Sequence, residues 1–359
     1  MLYRLIYVTL LCRLDPETMH VCTARTFALL GRLPGFTALL RRWAGQPDPL
    51  LETRALGRLF PSPLGVAAGL DKNLEWFEEL GALGFGYVEV GTVTADAQPG
   101  NPRPRIHRLP ADRALINSMG FPNEGAAVAA QRLAHRRGHT IVAVNIGRTK
   151  AAQDSEADYR ASVRVLAPLG DLLVLNVSSP NTPGLRELQG TDALAELVGA
   201  VRDELATLGV AIPLLVKIAP DLADEEVDAL ARAALALELD GLVCTNTTVS
   251  REDLASPPTL TDRPGGVSGA PLKARSLAVL RRVHAITGDR LVLVSVGGVE
   301  TADDALSRIR AGATLVQAYT GFVLGGPRWP TEINRGLAAR VRDAGVDSLQ
   351  ALVGTEARS

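Results

Sequence analysis

An apolar run, LLVLN, ends at Asn176 and is followed at once by Ser178, Ser179, Pro180 and Asn181. Ser179 has no Ser-His-Asp arrangement nearby in the chain, so an acyl-transfer relay is not what it offers. A serine acting alone points to proton abstraction next to a carbonyl, coupled to a cofactor that takes the electrons. Two lysines stand in similar apolar settings, Lys72 in AAGLDK and Lys217 in VKIAP. Only four of the 38 basic residues are Lys (Lys72, Lys150, Lys217, Lys273), and Asn is equally scarce at nine, so each such residue in an apolar run needs a reason. A lysine there is costly without a negative partner, which a substrate carboxylate or electron-rich cofactor atoms would supply. Asn145 (VNIG), Asn176, Asn181 and Asn246 (CTNTT) are amides that both donate and accept. A ring of them suits a planar, amide-like ligand such as a pyrimidine.

The elements that must bring these residues together recur along the chain. Eight short apolar runs alternate with helical stretches: 63–70, 86–93, 140–147, 172–177, 212–219, 241–247, 291–296 and 314–320. Continuous rather than alternating hydrophobicity fits parallel strands buried on both faces. Eight βα units over this length predict a closed (β/α)8 TIM barrel. An open doubly wound sheet is the alternative, but it needs a Gly-rich first turn. Gly81, Gly84 and Gly86 precede a strand instead of following one and read as an αβ turn. In a barrel the site lies at the carboxyl ends of the strands. Lys72, Thr92, Asn145, Asn176, Lys217, Thr245 and Gly298 all fall there, as do Tyr319 and Thr320. Gly269, Gly297-Gly298 and Tyr319-Thr320-Gly321 come from the late loops, where barrels hold phosphate on backbone N–H groups. Two connections, 94–116 and 248–268, are long enough to be functional loops.

Composition removes other classes. Hydrophobic residues are 47% and charged residues 21%, which is globular, and a net charge of −1 gives no sign of nucleic acid. Cys12, Cys22 and Cys244 are an odd set without metal-like spacing, so neither a disulfide framework nor a zinc site is expected. No His and few carboxylates (Asp71, Glu89, Asp221) lie at strand ends, which argues against metal hydrolysis and paired-carboxylate chemistry. Cys244 reads as a small buried hydrophobe.

Residues 1–60 stand outside the barrel pattern. They carry eight Arg against four acids, +4 in a chain whose total is −1. Asp15-Pro16-Glu17 is a helix start, and Phe36, Leu39, Leu40 and Trp43 share one expected apolar face. The opening LYRLIYVTLLC lacks a signal-type cleavage pattern. Arg-rich amphipathic helices with Trp and Phe fit either a surface-lying membrane contact or a helical lid on the barrel. The expected division is an extension at 1–60, the barrel at 61–340 and a tail at 341–359.

The motifs AAGLDKN, VEVGTVT, QPGNPRPR, INSMGF, VNIG, NVSSPNTPGLR, VKIAPDL, TNTT, GGVSG, VGGV and LVQAYTGF resemble the dihydroorotate dehydrogenases. The resemblance spans about residues 15–325. A serine at position 179 with an Arg-rich extension is similar to class 2 of that family, membrane-associated and quinone-dependent; a class 1-like barrel using fumarate or NAD is the alternative. The resemblance implies oxidation of dihydroorotate to orotate in pyrimidine synthesis, through FMN to a membrane quinone. It implies FMN contacts at Ala68, Gly69, Leu70, Asp71, Lys72, Thr92, Asn145, Asn176, Lys217, Thr245, Gly269, Gly298, Tyr319 and Thr320. It implies dihydroorotate contacts at Lys72, Asn117, Ser118, Met119, Gly120, Phe121, Asn176, Asn181, Asn246 and Thr247. Ser179 would be the general base, Thr182 a relay, and His20 and Arg108 quinone neighbours. The loop MGFPN departs from the class 2 pattern, which has Asn where Pro122 stands; Asn117 and Asn123 then become the loop's amide candidates. The expected location is peripheral, on the cytoplasmic side of a bacterial inner membrane.

Overall fold

The computed structural model describes Tyr3, Tyr7, Thr9 and residues 11–358. Most of the opening apolar segment therefore lies outside the described residues.

Eight parallel strands close into a barrel. In chain order they are β3 (Leu64–Val66), β4 (Tyr87–Val93), β7 (Ile141–Ile146), β8 (Leu172–Asn176), β9 (Leu214–Ile218), β10 (Gly241–Cys244), β12 (Val292–Val296) and β13 (Leu315–Ala318). All eight expected strands are present, shorter than the apolar runs because the polar ends turn out of the ladder. β8, β9, β10 and β13 are buried at every residue, as strands must be when helices cover one face and the barrel interior fills the other. Helices begin where short polar side chains hold free N–H groups: Asp154 accepts from the Ala157 N–H, and Thr301 from that of Asp304.

Two expectations needed correction. The connections 94–116 and 248–268 are not irregular loops. They hold β5 (Ile106–Leu109), β6 (Ala114–Asn117) and, running into it, β11 (Gly266–Gly269), a three-stranded antiparallel sheet. Each strand has four residues between Pro- and Gly-rich stretches, too few to display a period. The sheet covers the carboxyl end of the barrel. Residues 1–60 also contain a hairpin, β1 (Thr53–Ala55) with β2 (Arg58–Phe60). Phe60 plugs the opposite end of the barrel, edge-on to Tyr87 at 5.3 Å.

The extension otherwise folds as expected into two helices, α1 (Pro16–Gly31) and α2 (Phe36–Ala44). Asp15 caps α1 by accepting from the Thr18 N–H at 2.8 Å. The single apolar face expected on α2 is split. Phe36 and Leu40 turn inward, whereas Leu39 and Trp43 join Leu29 and Leu33 at the surface. Phe27 packs beneath the helix against Phe36 and Trp76, while Trp43 lies under the Arg328 guanidinium, which stands 5.0 Å from the ring centre.

A buried ion pair fastens α1 to the sheet above the barrel. Glu17 receives the Arg105 guanidinium at 2.7 Å, both residues 5% exposed, and Arg103 adds a contact at 3.0 Å. Removing one member of such a pair strands a buried charge, at about 3–5 kcal/mol. Glu17→Ala should therefore release the α1–α2 hairpin before the barrel unfolds. Limited proteolysis should show new cleavage within residues 11–45, and an unchanged pattern would mean that other contacts dock the hairpin.

Candidate active site

Below the three-stranded sheet lies a cavity of about 1130 Å³, partly open to solvent. The strand ends bring Lys72, Thr92, Asn176, Ser179, Lys217, Thr245, Asn246 and Thr247 to its walls, and the late loops bring Gly269, Gly298, Tyr319 and Thr320. Ala68 and Gly69 line it, and so do Asn117, Met119, Gly120, Phe121 and Asn181.

Some expected residues sit elsewhere. Asn145 is fully buried one layer behind the wall. It donates to Glu89 at 2.6 Å and accepts from Thr92 Oγ1 at 2.6 Å. Asp71 is buried and caps the turn that follows, accepting the N–H groups of Glu75 and Trp76; burial raises its pKa to about 6. Ser118 contributes backbone, its N–H to Arg105 O and its carbonyl to Asn101. Leu70 faces a second cavity. Asn123 does not line the site at all. Its amide donates to Thr94 Oγ1 and Phe121 O and accepts from the N–H groups of Thr94 and Gly125. With its amide atoms so engaged, it latches the 117–123 loop instead of reaching a ligand.

Asn176 is the hub of the polar wall. Its amide donates to Thr92 Oγ1 at 2.8 Å, and its carbonyl oxygen accepts from Ser178 Oγ at 3.2 Å and Asn246 Nδ2 at 3.3 Å. Asn181 donates to the backbone and side-chain oxygens of Asn117 at 3.2 and 3.3 Å, tying the loop after β8 to the end of β6. Ser179 is buried at 4% exposure, and its Oγ accepts the Asn181 N–H at 3.2 Å. Among the described residues no hydrogen bond joins it to Thr182, which is itself buried.

The cations are held by different means. Lys217 Nζ lies 3.3 Å from Glu89, whose other oxygen receives Gln317 Nε2 at 2.5 Å. Lys72 donates to Gly69 O at 2.5 Å and, among the described residues, has no ion pair within bonding distance. Its pKa is lowered to about 8, mainly by burial; Arg105 acts in the same direction, and the fields of Glu17 and Asp71 oppose it. A buried ammonium with no carboxylate against it suits an anionic ligand. Cys244 is fully buried, its thiol pushed up to about 12 by desolvation, as suits a packing residue.

Sequence reasoning missed Glu89 as a hub, and also Gln317, Arg105 and Asn101. The signal for the first two was present: a Glu and a Gln inside strands that are otherwise apolar, VEVG and LVQA.

A second cavity, about 1090 Å³, opens between α1 and the barrel. Tyr319, Ile106 and Leu115 line both cavities, so a single layer of side chains separates them. Its walls are mainly apolar (Tyr7, Leu11, Met19, Phe27, Trp76, Phe322), with His20 and Arg108 among them. Burial, helped by Lys72, lowers the His20 pKa to about 3, which keeps the ring neutral.

Fold and site together define a (β/α)8-barrel protein that binds its ligands at the strand ends and joins that pocket to an apolar side chamber. The chain belongs to the dihydroorotate dehydrogenase family, whose model matches residues 50–341. It is 54% identical over 99% of its length to the dihydroorotate dehydrogenase (quinone) of Thermobifida fusca, covering 97% of that protein. It is 50% identical to the protein of the same name from Mycobacterium tuberculosis, over 97% of each. Among solved structures, the DHODH of Eimeria tenella in complex with ferulenol superposes with a TM-score of 0.89 at 37% identity, over 96% of each chain.

The Glu89–Lys217 pair predicts a diagnostic pattern. Glu89→Gln strands a buried cation and should cost about 3–5 kcal/mol in urea unfolding. Glu89→Gln with Lys217→Met should recover much of that loss. A double variant no more stable than the single one would mean that Glu89 matters for shape and not for charge.

Proposed function

We propose that this protein oxidises dihydroorotate to orotate and delivers the two electrons through FMN to a membrane quinone. The observation that carries the reading is Ser179, a buried hydroxyl on a wall of amides and lysines, in a chain whose relatives bear the quinone-linked name.

The cavity fits FMN on its own chemistry. Gly269, Gly297 and Gly298 have φ of 100°, 125° and 71°, and a Cβ on Gly298 would stand 2.6 Å from Lys273 Cβ. Only glycine allows so close a turn, and such a turn presents backbone N–H groups to a phosphate. Gln317 Oε1 is buried beside the same cavity without a hydrogen-bond partner among the described residues, an acceptor suited to a ring N–H. Ala68, Gly69, Lys72, Thr92, Asn176, Lys217 and Thr245 would hold the cofactor, with Gly269, Gly298, Tyr319 and Thr320 on its phosphate side and Asn145 supporting Thr92 and Asn176 from behind. Bound there, FMN would supply the hydride-accepting chemistry for C6 of dihydroorotate and the route for electrons onward.

The protein's part is to bind, orient and move one proton. Lys72 meets the substrate carboxylate, which restores the charge that burial disfavours. Asn117, Asn176, Asn181 and Asn246 read the pyrimidine amides, with Thr247 beside them. Residues 118–121 close over the ring from above, fastened because Gln98 Nε2 donates to the carbonyls of Gly120 and Phe121. Ser179 Oγ takes the C5 proton as it passes its own hydroxyl proton by way of Thr182 to water, so that the hydroxyl ends the step neutral. The Asn181 N–H, already directed at that oxygen, stabilises the negative charge it develops.

The apolar chamber beside Tyr319 is the quinone's place, with neutral His20 and Arg108 as polar neighbours. Residues 1–60 act as the acceptor-side unit. Leu29, Leu33, Leu39 and Trp43 stand exposed on the α1–α2 hairpin among Arg25, Arg32, Arg41 and Arg42, a pairing suited to a membrane surface. Such a surface supports peripheral association on the cytoplasmic side; among the described residues no helix is long and apolar enough to cross a membrane.

Two experiments test this. Anaerobic dihydroorotate should bleach the flavin of the wild-type protein. Ser179→Ala should keep its flavin but bleach about 10²–10⁴-fold more slowly, and a normal rate would remove Ser179 as the base. The wild-type protein should float with anionic vesicles, and Leu39→Glu with Trp43→Glu should stay in the soluble fraction. Equal flotation of both would show that the hairpin surface is not the contact.

A further inference from the structure

Arg308 is the largest fully buried side chain of the protein, at 1% exposure, on the helix Ala302–Arg310 that follows β12. A buried guanidinium is expected to pair with a carboxylate. This one does not, among the described residues. Its donors go to neutral oxygens: Nη1 to Ser276 Oγ at 2.9 Å and Ser295 Oγ at 3.4 Å, Nη2 to Lys273 O at 2.8 Å and Gly297 O at 2.6 Å.

The nearby carboxylates are engaged elsewhere. Asp304 holds Lys273 at 2.9 Å and caps its own helix, and Glu300 holds both Lys273 and Arg113. Arg281, which also bears on Arg308, is paired with Glu356. The cluster of Arg113, Lys273 and Arg308 with Glu300 and Asp304 therefore keeps one positive charge in excess. Burial lowers the Arg308 pKa only to about 10, so the group is charged at neutral pH.

Its place explains what that charge faces. Gly297 and Gly298 line the cavity, and Arg308 stands behind them. A trans peptide points its C=O and its N–H in opposite directions. Drawing Gly297 O back onto the guanidinium therefore turns the Gly298 N–H forward. That N–H has no backbone acceptor among the described residues.

We propose that Arg308 is a positioning residue for the phosphate of FMN: it fixes the Gly297–Gly298 peptide from behind and supplies the buried positive charge that the phosphate neutralises. The inference rests on the cavity being the FMN site.

The experiment separates the two. Holoenzyme is equilibrated with mixtures of FMN and riboflavin, and the retained flavins are resolved by chromatography. The ratio retained is independent of how much protein is folded. Wild type should strongly prefer FMN. Arg308→Gln should lose at least about tenfold of that preference, the loss falling on FMN and not on riboflavin. Arg308→Lys, which keeps the charge without the fork, should lie between them. An unchanged ratio in Arg308→Gln, or an equal loss of both flavins, overturns the role of Arg308. A wild-type protein indifferent to the phosphate overturns the reading of the site itself.

Discussion

A carboxylate with no access to water stands inside the barrel. Glu89, on β4, is surrounded by Asn145 from β7, Lys217 from β9 and Gln317 from β13. A bare carboxylate at that position would be untenable, so the three partners must all be in place for the barrel to close around it. The consequence reaches the cavity. Asn145, held by Glu89, accepts from Thr92, and Thr92 accepts from Asn176, which in turn receives Ser178 and Asn246. The polar wall is thus one connected network whose geometry is set by a charge beneath it. Half-satisfied networks of this kind are worse than apolar cores. The same property makes the wall rigid enough to present amides at fixed positions.

The second constraint runs upward. Arg105 joins Glu17 on α1 and also donates to the carbonyls of Pro99 and Asn101. Asn101 in turn donates to Ser118 O, and its N–H goes to Met119 O. The helix that walls the apolar chamber and the loop that covers the ring site therefore share one buried cation. Glu17 also bears electrostatically on Lys72 and Tyr319. The two chambers are joined by charge as well as by the side chains they share.

This division explains what could be read from the chain. The eight strands were legible because burial on both faces makes them continuous apolar runs, and the site followed because polar residues that interrupt such runs must sit at their ends. The covering sheet was not legible. Its strands are four residues long, and what fixes them is pairing between segments far apart in sequence, β6 with β11, which no local pattern records. Arg105 and Arg308 escaped for a related reason. A charged residue near a strand or on a helix reads as a solvated face, and only the fold shows that each is buried. The family motifs supplied what periodicity could not, including the place of the 117–121 loop at the cavity, where Asn117, Met119, Gly120 and Phe121 line the wall.

The scarcity of lysine has a physical reading in this light. The chain uses Arg where a cation must be shared among several oxygens: Arg105 reaches Glu17 and two carbonyls, and Arg308 reaches two hydroxyls and two carbonyls. A planar fork with five donors suits that task. Lys72 and Lys217 are different. Each stands at the cavity wall with few protein acceptors, Gly69 O for one and Glu89 for the other. A guanidinium there would bury donors that nothing satisfies, and its charge would not respond to the ligand. A compact ammonium leaves its remaining donors for a ligand, and at Lys72 burial has already lowered the pKa to about 8. Binding an anion then raises the proton affinity of the lysine that holds it. At these two wall positions lysine therefore suits a cation that must keep donors free for a ligand, whereas Lys273, set back from the cavity, serves Glu300 and Asp304.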